Sequence, residues 1–179
     1  MEFVPTKLAG AYVIEARRFE DVRGFYAPTW SRQAFREHGC DAELIECNLS
    51  FNKVAGTLRG MHFQVAPFAQ PKLVRCTMGA IWDAIVDLRP ESPTFQHWVG
   101  AELTAKNRRQ LYIPAGFAHG FITLADDTEV FYQMGGAYHP SASRGVRWND
   151  PAFAIAWPRE VAVIIERDNT YPDFTGRVE

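Results

Sequence analysis

The side chains able to move a proton are scattered along this chain. Histidine occurs at His38, His62, His97, His119 and His139. An imidazole of pKa near ~6.5 is mostly neutral at pH 7 and is a competent base there. His62 stands in Arg59-Gly60-Met61-His62-Phe63-Gln64, a run that reads as strand, where a histidine is either structural or a base. His119 stands in Ala118-His119-Gly120-Phe121. Its small neighbours leave the ring room to face a ligand, and the alternative is a hydrogen-bonded core imidazole. His38 reads as a cation at the last turn of a short helix. His97 and His139 lie beside turn signals and read as solvated.

Other polar residues stand among apolar ones. Lys72 opens Lys72-Leu73-Val74-Arg75 and reads as a solvated lysine on an edge strand. Tyr132 shares a strand face with Val130 and Met134 and reads as a core tyrosine. Asp168, in Glu166-Arg167-Asp168-Asn169-Thr170, reads as the side chain of an Asx-turn. No one of these residues makes a site alone.

The elements that must position them are short. Gly and Pro punctuate runs rich in Val, Ile, Phe, Tyr, Trp and Thr, a pattern of all-β sandwiches and barrels. Strands are predicted over 11–15, 24–30, 43–51, 57–64, 72–77, 80–87, 98–103, 110–113, 118–124, 128–133 and 161–165. A helix is predicted over 31–38, with Ser31 as N-cap and Gly39 as stop. Turns are predicted at 113–117 and 148–151. Strand alternation raises one difficulty: Arg59 and His62 should face opposite ways. A cleft using both needs the alternation broken, and Gly60 between them predicts irregular backbone.

The composition narrows the function. The 179 residues suit one domain, and 47% hydrophobic with 22% charged residues is ordinary for a soluble globular protein. A formal charge of −2 lacks the basic excess of a nucleic-acid binder. The thiols Cys40, Cys47 and Cys76 are odd in number and lack zinc-site spacing, which predicts reduced cysteines in a cytoplasmic protein. No apolar run reaches the ~20 residues of a membrane helix, and the first ten residues hold no signal-peptide core.

Taken in order, these segments resemble the dTDP-4-dehydrorhamnose 3,5-epimerase family. The resemblance rests on 19–26 (FEDVRGFY), Asn48-Leu49-Ser50, 58–64 (LRGMHFQ), Lys72-Leu73-Val74-Arg75, 87–95 (DLRPESPTF), 113–121 (IPAGFAHGF), 147–151 (RWNDP) and 155–158 (IAWP). It implies an all-β, cupin-type jelly roll or barrel with few short helices. It also implies a homodimer in which N-terminal strands, about 1–50, are exchanged. The resemblance implies no metal and no cofactor. Independently, Gln64 stands where metal-binding cupins carry the second histidine of a His-x-His pair, leaving a metal too few ligands.

The resemblance also assigns roles. His62 would abstract a proton beside the ketone of a 4-keto-6-deoxy sugar nucleotide. Asp168 would fix the imidazole, Tyr132 would return a proton from the opposite face, and Lys72 would hold the enolate. Arg59, His119 and Arg23 would bind the pyrophosphate, with Arg23 and Tyr26 supplied by the neighbouring subunit. Tyr138 would stack on the base, and Glu46 and Gln64 complete the substrate-binding set.

Departures from the family pattern gather at the nucleotide end. Pro28 stands for a usual Glu, Glu46 for Gln, Asn52 for Ser, and Gln133-Met134-Gly135-Gly136-Ala137 replaces a Lys-, Thr- and Asp-bearing stretch. Glu46, acceptor-only when ionised, would suit a base that offers donors, such as guanine, unless it is simply a solvated rim carboxylate. The glycines predict loosened backbone beside Tyr132. The rival activities are epimerisation at C3 alone or C5 alone, on a GDP- or CDP-linked sugar. Outside that class stand a metal-dependent cupin oxygenase or isomerase and a non-catalytic sugar binder.

Overall fold

The computed structural model describes residues 1–41 and 43–177. Two antiparallel sheets pack face to face. The first runs in the order β1 (Glu2–Pro5), β2 (Tyr12–Glu15), β10 (Gln110–Ile113), β7 (Lys72–Met78), β12 (Thr128–Met134), β5 (Glu46–Asn52). The second runs β13 (Ser143–Gly145), β6 (Leu58–Gln64), β11 (Phe117–Thr123), β8 (Ala80–Asp87), β9 (Trp98–Thr104). A separate hairpin joins β3 (Phe19–Asp21) to β4 (Gly24–Tyr26). This is the double-sheet answer to the edge problem found in jelly rolls, and it matches the all-β expectation.

Alternation explains the core. Val74 and Cys76 of β7, Val130 of β12, and Ile81, Ile85 and Phe121 of the second sheet meet between the sheets. A second cluster, built on Met61, Phe63, Val86 and Leu88, lies under the chain that returns through Val146, Phe153 and Ile155. A third lies under α1 (Arg32–Glu37), whose Phe35 packs with Ile14, Leu73 and Tyr112. Each fully buried aliphatic or aromatic side chain contributes roughly 1.5–3 kcal/mol.

Most predicted strands lie where expected, and the helix does too. Ser31 accepts from the Ala34 N–H at 3.4 Å, and Gly39 ends the helix at φ 69°. His38 is held by Ala34 O at 2.8 Å and stacks on Phe3. Four readings need correction. The run 24–30 is strand only over Gly24–Tyr26. The run 161–165 forms one bridge, Val163 to Thr57, and no strand, because β13 occupies the edge of β6 along its other half. Lys72 is buried on a central strand flanked by β10 and β12, so it is no edge lysine. His139 is half-buried and stacks on Phe68 at 3.8 Å between centroids; His97 is exposed as read.

The break in alternation at Gly60 is present. Gly60 has φ 133°, its peptide to Met61 is cis, and the β6–β11 register shifts between His119 and Phe121. Glycine adopts that φ without a Cβ clash. A Cβ there would also stand 2.5 Å from Gly120 Cα, so the two glycines let the strands cross closely. The loosened backbone expected at Gly135-Gly136 is not what the fold shows. Their missing side chains let the chain press against Pro71 and Gln70, and Gly135 N donates to Pro71 O at 3.0 Å.

Candidate active site

A cavity of about 390 Å³ opens between the sheets. Arg59 and His62 of β6 and His119 of β11 line it from the second sheet; Lys72 of β7 and Tyr132 of β12 line it from the first. Residues 163–165 and α2 (Glu166–Asn169), which carries Asp168, close another side. Six sequence-predicted residues therefore meet in one cavity: Arg59, His62, Lys72, His119, Tyr132 and Asp168.

The irregular strand makes the first pairing. His62 Nε2 and Asp168 Oδ1 lie 2.8 Å apart, and Gly60 N donates to Asp168 Oδ2 at 3.1 Å. Asp168 is no Asx-turn residue: α2 buries its side chain to 1% exposure, while His62 keeps 32%. Burial alone would raise the Asp168 carboxyl. Bonds from His62, Gly60 and Arg167, with the His62 charge, outweigh it and hold the pKa below the ordinary carboxylate value. An ionised carboxylate only accepts, so the ring proton sits on Nε2 and Nδ1 is the basic nitrogen. Arg167 Nε also donates to Asp168 Oδ1, at 3.2 Å.

The other wall is polar and deep. Burial pushes the Tyr132 phenol far above its ordinary value, against the Ser50 bond, so it stays protonated. Its oxygen lies 3.0 Å from Ser50 Oγ. Burial lowers the Lys72 ammonium to about 8, opposed by the charge of Asp83, and its Nζ donates to His62 O at 3.3 Å. His119 is only 5% exposed, and its Nε2 lies 2.6 Å from Asp83 Oδ1. Burial lowers the His119 pKa, again against Asp83. Its ring stands edge-on to Tyr132, 6.2 Å between centroids.

The remaining predicted residues lie elsewhere. Gln64 is buried and spent on structure, donating to Phe68 O and Ala137 O and accepting from His139 N. It is not part of the cavity lining. Glu46 accepts from Asn48 Nδ2 at 2.7 Å, just beyond the lining. Tyr138 is exposed outside it. Arg23 and Tyr26 project on the β3–β4 hairpin, Arg23 paired with Asp21. Asp83, Ser50 and Arg167 were missed as site residues. Asp83 had a signal, a carboxylate in the apolar run Ala80–Asp87, where burial demands a partner. Among the described residues, no group of three or more His, Cys, Asp or Glu side chains could hold a metal ion.

Residues 5–176 match the family model described as dTDP-4-dehydrorhamnose 3,5-epimerase. The chain belongs to this family. A relative from Sinorhizobium fredii with that name is 43% identical, over 96% of this chain and 89% of its own. The structure of the Elizabethkingia anophelis enzyme superposes with a TM-score of 0.94 at 37% identity, covering 97% of this chain and 96% of that one. The Bacillus anthracis enzyme, solved with TDP and pyrophosphate bound, gives 0.92 at 40% identity, covering 97% and 99%. The family membership and the cavity geometry point to one chemistry.

Proposed function

We propose that this protein epimerises a thymidine-diphosphate-linked 4-keto-6-deoxy sugar through an enolate. The observation that carries the reading is the pairing across the cavity. A half-open His62 comes from one sheet, held by Asp168 of α2, and a protonated Tyr132 beside a buried Lys72 comes from the other. His62 Nδ1 takes the proton from a carbon next to the C4 ketone. The C–H electron pair passes to the ketone oxygen, where the Lys72 ammonium opposes the new charge. Tyr132 then donates a proton to the opposite face of that carbon, and the Ser50 hydroxyl supports the tyrosinate left behind. Exchange with solvent resets both groups, so the net change is the carbon's configuration.

The nucleotide is thymidine diphosphate by analogy with the Bacillus anthracis complex. Arg59 at the cavity wall holds the diphosphate, since its fork matches phosphate oxygens. The test is incubation of the dTDP-4-keto-6-deoxyglucose substrate with enzyme in heavy water, followed by NMR at C3 and C5. Deuterium at both positions marks a 3,5-epimerase, and deuterium at one marks a single-site epimerase. No deuterium at either overturns the proposal.

The same reading includes a homodimer in the cytoplasm. The exchanged segment, about 1–50, includes the 19–26 hairpin, which forms a two-stranded sheet of its own among the described residues. Its tip Val22 is fully exposed, and β5 presents Leu49 and Phe51 on an outer sheet edge. Such an apolar edge needs cover. Arg23 and Tyr26 would then reach the partner's cavity. Sedimentation as a dimer supports this; a fully active monomer would overturn it. No helix among the described residues is long and apolar enough to cross a membrane.

A further inference from the structure

Asn52 ends β5 and is 2% exposed between the sheets. Its Nδ2 donates to Thr128 O at 3.1 Å, and its Oδ1 accepts from Arg59 Nε at 2.7 Å. Both partners are single-minded: a carbonyl can only accept and a guanidinium can only donate. The amide is therefore locked in one orientation with each end used. Arg59 itself is exposed on β6 of the other sheet, and its Nη2 reaches Phe51 O at 3.4 Å. Asn52 and the neighbouring carbonyl thus occupy one edge of the fork. The rest of the guanidinium is left for the cavity that Arg59 lines.

We propose that Asn52 is a positioning residue that holds Arg59 in the orientation that binds the substrate's diphosphate. The inference rests on the diphosphate role given to Arg59 above. An arginine free to rotate loses rotamer freedom on binding an anion; one already tethered through Nε loses less, so affinity rises. Serine could not span both partners from this position, and aspartate could not donate to Thr128 O. Asn52 suits the joint because its amide has one donor end and one acceptor end.

A double-mutant cycle on the full-length protein tests this, read by calorimetric dTDP affinity and by steady-state kinetics. Arg59→Ala is expected to weaken dTDP about 100-fold, the range of a charge-assisted hydrogen-bonded contact. Asn52→Ala is expected to raise the dTDP Kd and the substrate KM about 10-fold, with kcat changed less than about two-fold, since ground state and transition state lose the contact equally. The double variant is expected to bind dTDP no more weakly than R59A alone, because Asn52 acts through Arg59. A residue that merely joins β5 to β12 would add its loss to that of R59A and would lower kcat. Additive losses, or wild-type affinity in N52A, overturn the proposal. If R59A itself leaves dTDP affinity unchanged, the diphosphate role fails first, which separates the two failures. Asn52→Ser, a smaller polar change, gives the same comparison where N52A does not fold, and dTDP binding as tight as wild type there also overturns it.

Discussion

His62 and His119 face each other across the β6–β11 pairing, and each holds its own aspartate through Nε2. The chemical groups are the same, and the surroundings differ. His62 is about one-third exposed and looks into the cavity, while its aspartate has further donors in Gly60 and Arg167. His119 lines the same cavity but is only 5% exposed, and Asp83 Oδ2 has no hydrogen-bond partner among the described residues. An imidazole that must trade protons with a ligand needs access, and one whose charging is opposed by burial serves as a fixed donor. Access, more than the histidine–aspartate bond, divides the proposed base from the deeper pair.

Replacing each histidine breaks the comparison most sharply. His62→Ala is expected to cut turnover about 10²–10⁴-fold. Its melting temperature should fall less than that of the His119 variant, because Gly60 N and Arg167 Nε still donate to the buried Asp168 carboxylate. Equal turnover in variant and wild type would refute the base assignment. His119→Ala should do the reverse in emphasis, leaving a buried Asp83 charge without its partner and costing about 3–5 kcal/mol in urea unfolding. A loss below about 1 kcal/mol would show that Asp83 finds another partner.

Lys72 lies between the pairs and gives a pH test. Its folded pKa is about 8 against 10.5 for an ordinary lysine. Below pH 8 the ammonium is present, so kcat/KM is expected to fall as pH rises through 8. Stability should run the other way. Between 8 and 10.5 the unfolded chain binds the proton that the folded chain has released, so unfolding free energy rises with pH across that window. Lys72→Met should abolish both slopes and lower turnover at pH 7. An unchanged alkaline limb in that variant would assign it to another group. The smallest effect belongs to Arg167→Met. The arginine is more than half exposed, and such pairs contribute about 0–1 kcal/mol. Stability should move within that range and kcat/KM by a few-fold at most; a hundred-fold loss would place Arg167 on the substrate.

Much of this was legible from residue order. Most strands of both sheets, the α1 caps and the Gly60 irregularity follow from period, turn chemistry and one glycine placed between two candidate site residues. What was hidden depends on tertiary neighbours. Lys72 looks like an edge lysine until β10 and β12 are known to flank it. Asp168 looks like a turn residue until α2 turns it under the His62 ring. The three-residue strands β3 and β13 are too short for a period to register. Gln64 falls beside the proposed base in sequence, yet its amide fastens the 65–71 and 135–142 loops together. Adjacency along a strand did not carry it into the cavity.

Gly60 has a consequence for anyone who transplants this site. The β6 segment keeps two parities: residues before the glycine point by one rule, and residues after it by the other. Copied into a regular strand, Arg59 and His62 would part to opposite surfaces, and no rotamer choice would reunite them. The portable unit is therefore larger than the six residues that look like a motif. It must include Gly120 on the neighbouring strand, whose missing side chain makes room for the phase slip.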